Sequence, residues 1–331
     1  MLSVALLGAG RIGRVHAKSI AAHSGSRLVA VADVHAPAAQ ELAEQAGAAV
    51  RDIDAILTDP TIDAVLIATS TDTHSDLIEA AAAAGKAVLC EKPVDLDLAR
   101  AQACLTKSQA SGQPVMVGFN RRFDPNFAAL KTSYDAGDIG VAELLSITSF
   151  DPAPPPVEYI KVSGGIFRDM MIHDLDIAQW LMGARPVKVT AHGSALVDPA
   201  IGAAGDVDTA VATLHYADGR LCVIRNSRRA AYGYDQRIEI LGSKGLLQAD
   251  NVTESTISRA GSEGVISAKP VYFFLERYMR AYEIEWAQFV DAVQSGTPVP
   301  ATLEEGVAAL AVAEAATQSM KTGQTVDVPS V

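Results

Sequence analysis

Val4-Ala5-Leu6-Leu7-Gly8-Ala9-Gly10-Arg11-Ile12-Gly13 is the stretch that decides the fold. A short apolar run ends at Gly8, and Arg11 to His23 has the pattern of a helix. Glycines at this G-x-G-x-x-G spacing permit a tight strand-to-helix turn. They also let the backbone approach a pyrophosphate, which rests on the helix N-terminus. The spacing alone is common, and a structural glycine turn is the bland alternative. Here the next strand, Leu28–Ala32, ends at Asp33, at about the 20-residue distance expected of an acid that binds ribose hydroxyls. That context favours a dinucleotide. A 2′-phosphate would meet the Asp33 carboxylate, so NAD is expected over NADP. His35 is the one neighbour that could soften this preference, and it is more simply a solvated loop histidine.

Working outward, Ala64–Ala68, Ala87–Cys90 and Val115–Val117 are further apolar runs, with a helical stretch from Asp76 to Ala84 between two of them. Buried strands alternating with helices predict a parallel sheet covered on both faces. Thr69–Thr73 follows the Ala64–Ala68 run at the edge where ligands bind, although hydroxyls there also cap helices. The second half differs. A helix from Phe167 to Leu181 follows Gly164-Gly165. Strands then succeed one another over Val187–Ala191, Val207–Tyr216, Leu221–Arg225 and Arg237–Leu241. Asp218-Gly219 is a hairpin signal, and Gly242–Gly245 a second turn, so this sheet is expected to be antiparallel. Helical patterns return over Leu275–Val293 and Leu303–Met320, the latter opened by a capping box at Thr302 and Glu305. The stripe of Leu275, Met279, Tyr282, Trp286, Phe289 and Val293 is at helical spacing and is most simply core.

At 331 residues the chain is too long for a typical single domain, and 49% hydrophobic with 20% charged residues suits a sizeable core. A net charge of −12 argues against nucleic acid or an anionic membrane as partner. Cys90, Cys104 and Cys222 show neither metal-ligand spacing nor an even framework, which predicts a reducing cytoplasm. Cys90 adjoins Glu91-Lys92 but is more simply a buried strand thiol. No charged leader, no bilayer-spanning apolar stretch and no metal cluster is visible, so none is expected. The Asn251-Val252-Thr253 sequon would not meet its transferase in a cytoplasmic protein.

The chemistry is carried by Asp169-Met170-Met171-Ile172-His173. An acid and a histidine at this spacing share a helix face about one turn apart. A carboxylate so placed orients an imidazole and stabilises its imidazolium. Hydride removal from a secondary alcohol requires loss of the hydroxyl proton, which His173 would accept. Lys92, in Glu91-Lys92-Pro93, would hold the substrate oxygen and stabilise the developing alkoxide. Pro93 raises the chance of a cis bond before it. Asp174 and Asp176 crowd the same helix, could be its exposed face, and are left out of the site.

These motifs, with Gly118-Phe119-Asn120-Arg121-Arg122-Phe123-Asp124 and Tyr232-Gly233-Tyr234-Asp235, resemble the Gfo/Idh/MocA oxidoreductases over essentially the whole chain, and among them those that oxidise inositol. The resemblance implies an α/β protein. Residues 1–119 would be an NAD-binding Rossmann domain, and 120–331 an α+β substrate and oligomerisation domain with a large, open, mainly antiparallel sheet. It implies a catalytic trio of Lys92, Asp169 and His173. The cofactor contacts would be Gly8, Gly10, Arg11, Ile12, Asp33, Thr69, Ser70, Thr71, His74, Glu91, Lys92 and Asn120. Polyol contacts would come from Arg122, Asp151 and Tyr234 beside the trio. A homotetramer packed through the open sheet is the implied assembly. The implied reaction is NAD-dependent oxidation of myo-inositol to its 2-keto sugar. Another cyclitol or a pyranose, an NAD-requiring glycosidase and a non-catalytic dinucleotide sensor remain alternatives. The Pro152–Pro156 run departs from the inositol enzymes' pattern and leaves the exact substrate open.

Overall fold

The early apolar runs pair side by side in one parallel sheet. In the computed structural model, which describes all 331 residues, the first unit comprises residues 1–123, 279–310 and the terminal Val331. Its elements are β1 (Leu2–Leu7), α1 (Arg11–Ala22), β2 (Ser26–Ala32), α2 (Ala36–Ala46), β3 (Ala49–Val50), α3 (Ile53–Thr58), β4 (Ala64–Ile67), α4 (His74–Ala83), β5 (Ala87–Glu91), α5 (Leu98–Ser111) and β6 (Val115–Gly118). The strand order β3-β2-β1-β4-β5-β6, all parallel, reverses between β1 and β4, and dinucleotides bind at such a switch point. β1, β4 and β5 are almost wholly buried, as a sheet covered on both faces requires.

Residues 279–310 complete this unit. They supply most of the helix Phe274–Ser295 and the start of the helix Leu303–Thr322. The apolar stripe is core: Trp286 and Phe289 are fully buried, and Trp286 Nε1 donates to Ser26 Oγ at 2.9 Å. The Val117 N–H donates to Ala301 O at 2.9 Å. The capping box forms as expected, with Thr302 N donating to Glu305 Oε2 (2.8 Å) and Glu305 N to Thr302 Oγ1 (3.2 Å).

The second unit comprises residues 124–278 and 311–330. It contains α6 (Pro125–Asp135), β7 (Ala142–Phe150), α7 (Val157–Ile160), α8 (Ile166–Asp169), α9 (Ile172–Met182), β8 (Pro186–Ser194), α10 (Pro199–Ala203), β9 (Thr209–Tyr216), β10 (Leu221–Ser227), β11 (Asp235–Gly242), β12 (Gly245–Ala249), a separate hairpin of β13 (Ser258–Gly261) and β14 (Gly264–Ser267), and β15 (Val326–Asp327). The two long helices above are α11 and α12. Its sheet runs β12-β11-β7-β10-β9-β8-β15. Every pairing is antiparallel except β7 with β10, so the sheet is mixed rather than purely antiparallel. β7, absent from the sequence reading, is an interior strand between β11 and β10. Cys222, Ile224, Leu145, Ile147, Ile238 and Ile240 alternate onto the covered face. No helix is long and apolar enough to cross a membrane.

Candidate active site

At the switch point of the first unit, Gly8 has φ +102°, and a Cβ there would lie 2.3 Å from Ala68 O. A Cβ on Gly13 would lie 2.0 Å from Gly8 O, so α1 can pack against the turn only through glycine. Gly10 differs: nothing lies within 4 Å of a Cβ there, which leaves open space over the N-terminus of α1. That is the cradle a pyrophosphate needs. Arg11 is exposed and Ile12 half-buried in the first turn. Asp33 ends β2 with its Oδ2 accepting from Ala9 N (2.6 Å) and Oδ1 from His35 N (2.7 Å). The carboxylate is therefore held against the glycine turn by two backbone donors. At the end of β4, Thr69 and Thr73 share a hydroxyl hydrogen bond of 2.7 Å, and Ser70 and Thr71 lead into α4. His74 is buried, its Nδ1 donating to Pro93 O at 2.8 Å and its Nε2 3.2 Å from Thr69 O. It joins the loop after β4 to the loop after β5.

Glu91 ends β5 and Lys92 follows it, half-buried, before a cis peptide to Pro93. Glu91 Oε1 is 2.7 Å from Nε2 of the fully buried His16 on α1, and the Tyr282 ring stands edge-on to that imidazole at 5.4 Å. One turn beyond Tyr282, Glu285 is fully buried, and neither of its oxygens has a hydrogen-bond partner in the protein. Burial, and then the neighbouring Glu91 carboxylate, push its pKa well above the usual carboxyl value, so the folded chain keeps this proton to higher pH than an unfolded chain does. The sign for stability follows. An unfolded chain releases the proton near the ordinary carboxyl value and the folded chain does not. Stability is therefore undiminished below that value and falls as pH rises above it. Glu285→Gln, which cannot ionise, should unfold about 2 °C or more above the parent at alkaline pH, with the difference vanishing towards pH 4 in a thermal melt. An equal effect at every pH would contradict a buried proton.

Asn120 and Arg122 lie buried just after β6. Arg122 Nη1 donates to Pro300 O and to Glu305 Oε1, each at 3.0 Å, so the capping-box acid also anchors this guanidinium. Burial pushes the Cys90 thiol well above its usual range, as suits an inert strand residue.

In the second unit the expected single helix over Phe167–Leu181 is two. α8 ends at Asp169 and α9 starts at Ile172. Met171 N bonds five residues back to Ile166 O, a local slip of the helical register. Met170 and Met171 keep right-handed helical angles, so Asp169 and His173 remain about one turn apart. Asp169 Oδ1 accepts from the Tyr159 hydroxyl (2.8 Å), and Oδ2 from Arg228 Nη2 (3.0 Å). Asp174 and Asp176 are not the exposed face: both are buried. Asp174 Oδ2 accepts from Asn226 Nδ2 (2.8 Å), and Oδ1 lies 3.4 Å from Gln236 Nε2, which fastens α9 to β10 and β11. An exposed-face reading fails because the sheet supplies amide donors for a buried carboxylate.

Asp151 follows β7, its N–H on Ser227 O at 2.8 Å. Tyr234 is buried, edge-on to Tyr278 at 5.9 Å. Beside it, burial alone would raise the Asp235 carboxyl, but hydrogen bonds from Arg237, Tyr232 and Asn251 outweigh it and hold the group below its usual value. Burial and the same carboxylate push the Tyr232 hydroxyl up to about 12. Tyr159, Arg228, Asp174 and Glu285 escaped the sequence reading. The one signal for Tyr159 was its place just after the proline run, and for Arg228 its place at the end of a strand.

Residues 2–119 match the Gfo/Idh/MocA model described as an oxidoreductase family, NAD-binding Rossmann fold, and residues 135–328 its C-terminal alpha/beta domain. The chain is 51% identical to an inositol 2-dehydrogenase of Rhizobium meliloti, over 95% of this chain and 96% of that protein. It is 45% identical to a myo-inositol 2-dehydrogenase of Thermotoga maritima, over 100% and 99%. Among solved structures, a myo-inositol dehydrogenase from Corynebacterium glutamicum superposes with a TM-score of 0.95 at 45% identity, over the whole of both chains.

Proposed function

This chain belongs to the Gfo/Idh/MocA oxidoreductase family, and from that premise we propose that it oxidises myo-inositol to 2-keto-myo-inositol with NAD. What carries the substrate assignment is the full-length likeness to inositol 2-dehydrogenases at 45–51% identity. The open space at Gly10 and the two-donor grip on Asp33 fit a dinucleotide. Gly8, Gly10, Arg11 and Ile12 would hold its pyrophosphate, and Asp33 its adenosine ribose. Thr69, Ser70, Thr71, His74, Glu91, Lys92 and Asn120 would line the rest. Bound NAD supplies the hydride acceptor.

The remaining chemistry is the chain's own. Lys92 binds the reacting oxygen and stabilises negative charge as the hydroxyl proton departs. His173 takes that proton. Asp169, fixed by Tyr159 and Arg228, orients the imidazole and stabilises its charged form. Arg122, Asp151 and Tyr234 would fix the other hydroxyls. The test is NADH formation across inositol stereoisomers and aldoses. Faster turnover of scyllo-inositol or an aldose than of myo-inositol would reassign the substrate. Sugar release without NADH accumulation would favour a glycosidase.

The cofactor preference follows from Asp33. The unaltered protein should use NAD well ahead of NADP, and Asp33→Ser should narrow the gap in kcat/KM by removing the charge that a 2′-phosphate meets. Equal use of both cofactors by the parent would overturn this.

The protein would work in the cytoplasm as a homotetramer. Leu246, Leu241, Leu144 and Leu221 are lateral neighbours across four strands, and so form an apolar row on the uncovered face of the second sheet. Leu246, Leu241 and Leu221 are all exposed. Such a row suits burial between copies. Light scattering on Leu221→Glu and Leu241→Lys should show smaller particles than the parent tetramer. An unaltered mass would place the contact elsewhere.

A further inference from the structure

Asp169 does not stand alone behind His173. Both its oxygens are engaged: Oδ1 by the Tyr159 hydroxyl at 2.8 Å and Oδ2 by Arg228 Nη2 at 3.0 Å. Tyr159 lies on α7, directly after the proline run, and is half-exposed. Arg228 is buried just beyond β10, its N–H bonded to Asp208 O at 2.8 Å. The same guanidinium nitrogen lies 4.0 Å from Asp206 Oδ2. Asp206 in turn accepts the Ile166 N–H at the start of α8 through Oδ1 (3.0 Å). Arg228 thus faces Asp169, with the Asp206 carboxylate beside the same guanidinium. The next pair on α8, Arg168 with Glu314, neutralises itself. Two carboxylates, Asp169 and Asp206, share this one guanidinium.

We propose that Tyr159 and Arg228 are positioning residues that clamp Asp169 and thereby set how tightly His173 holds its proton. This rests on the function proposed above. An unclamped Asp169 would keep its full charge for the imidazolium, and the base would be discharged only at higher pH. Arg228 offsets part of that charge, and the Tyr159 hydrogen bond disperses more of it. The Pro152–Pro156 run leads directly into α7 and so brings Tyr159 to the acid.

The test is the pH profile of kcat/KM for myo-inositol at saturating NAD, read beside the NMR titration of the His173 ring in the same proteins. Arg228→Met should move the inflection upward by about one pH unit, Arg228→Lys should restore most of it, and Tyr159→Phe should move it the same way but less. A purely structural role would lower kcat/KM equally at every pH and leave the titration in place, which would overturn the proposal. Should Arg228→Met fail to fold, Tyr159→Phe decides the question, because that ring is half-exposed. Parent protein that forms no NADH from any inositol would defeat the functional reading, while the His173 titration would still judge the clamp.

Discussion

Lys92→Ala should lower kcat by about 10²–10³-fold, the loss typical of removing one donor aimed at a developing oxyanion. The reason lies in timing. In the proposed mechanism the ammonium would meet a neutral hydroxyl in the ground state and an alkoxide-like oxygen as the hydride leaves, so most of its interaction energy would be expressed in the transition state. NAD affinity should change little, because in the proposed site the glycine turn and Asp33 would hold the far end of the cofactor, away from Lys92. Stopped-flow turnover with NAD binding by fluorescence titration separates the two effects. Turnover within a few-fold of the parent would reduce Lys92 to a residue of the loop.

The second large effect belongs to the acid–histidine pair. His173→Ala should cost about 10²–10⁴-fold in kcat, the range for a general base. As the proposed base in oxidation, His173 must be neutral to accept a proton, so the rate should rise with pH through its titration. A carboxylate nearby favours the imidazolium and raises that inflection. Asp169→Asn should therefore shift the rising limb to lower pH while slowing turnover, since an amide fixes the tautomer less reliably. Comparing kcat/KM profiles of the parent and both variants decides the matter. A rising limb that survives unchanged in His173→Ala would mean that another group takes the proton, with Lys92 the first suspect.

Much of the first unit was legible because its signals are local. The glycine spacing, the buried strands and Asp33 each follow from a few adjacent residues, and the capping box at Thr302 and Glu305 formed as its motif predicts. What escaped depends on partners far along the chain. β7 went unread because its sequence, Ala142 to Phe150, mixes Glu143, Ser146, Thr148 and Ser149 with apolar residues, and its interior place is fixed only by β10 and β11. The break between α8 and α9 leaves no glycine or proline at Met170-Met171, so periodicity ran straight through it. Asp174 looked like a surface acid until Asn226 and Gln236, some 50 to 60 positions on, proved to be its donors. Arg228 belongs to the same class: a strand-end arginine declares nothing until Asp169 and Asp206 are brought to it. The stripe on α11 told which residues are buried but not against what, and Trp286 meets Ser26 across most of the sequence.

That last pairing bears on how the protein is made. The first unit begins at Met1 yet takes its closing helices from residues 279–310. While the chain leaves the ribosome, the parallel sheet is complete at Gly118, but the helix carrying Trp286 and Phe289 follows roughly 170 residues later. At ordinary elongation rates that is a wait of about 10–40 s. During it, the surface around Ser26 and the Val117 edge of β6 has no cover. A nascent chain stalled near residue 125 should therefore stay protease-sensitive and recruit holdase chaperones, and one released beyond residue 310 should not.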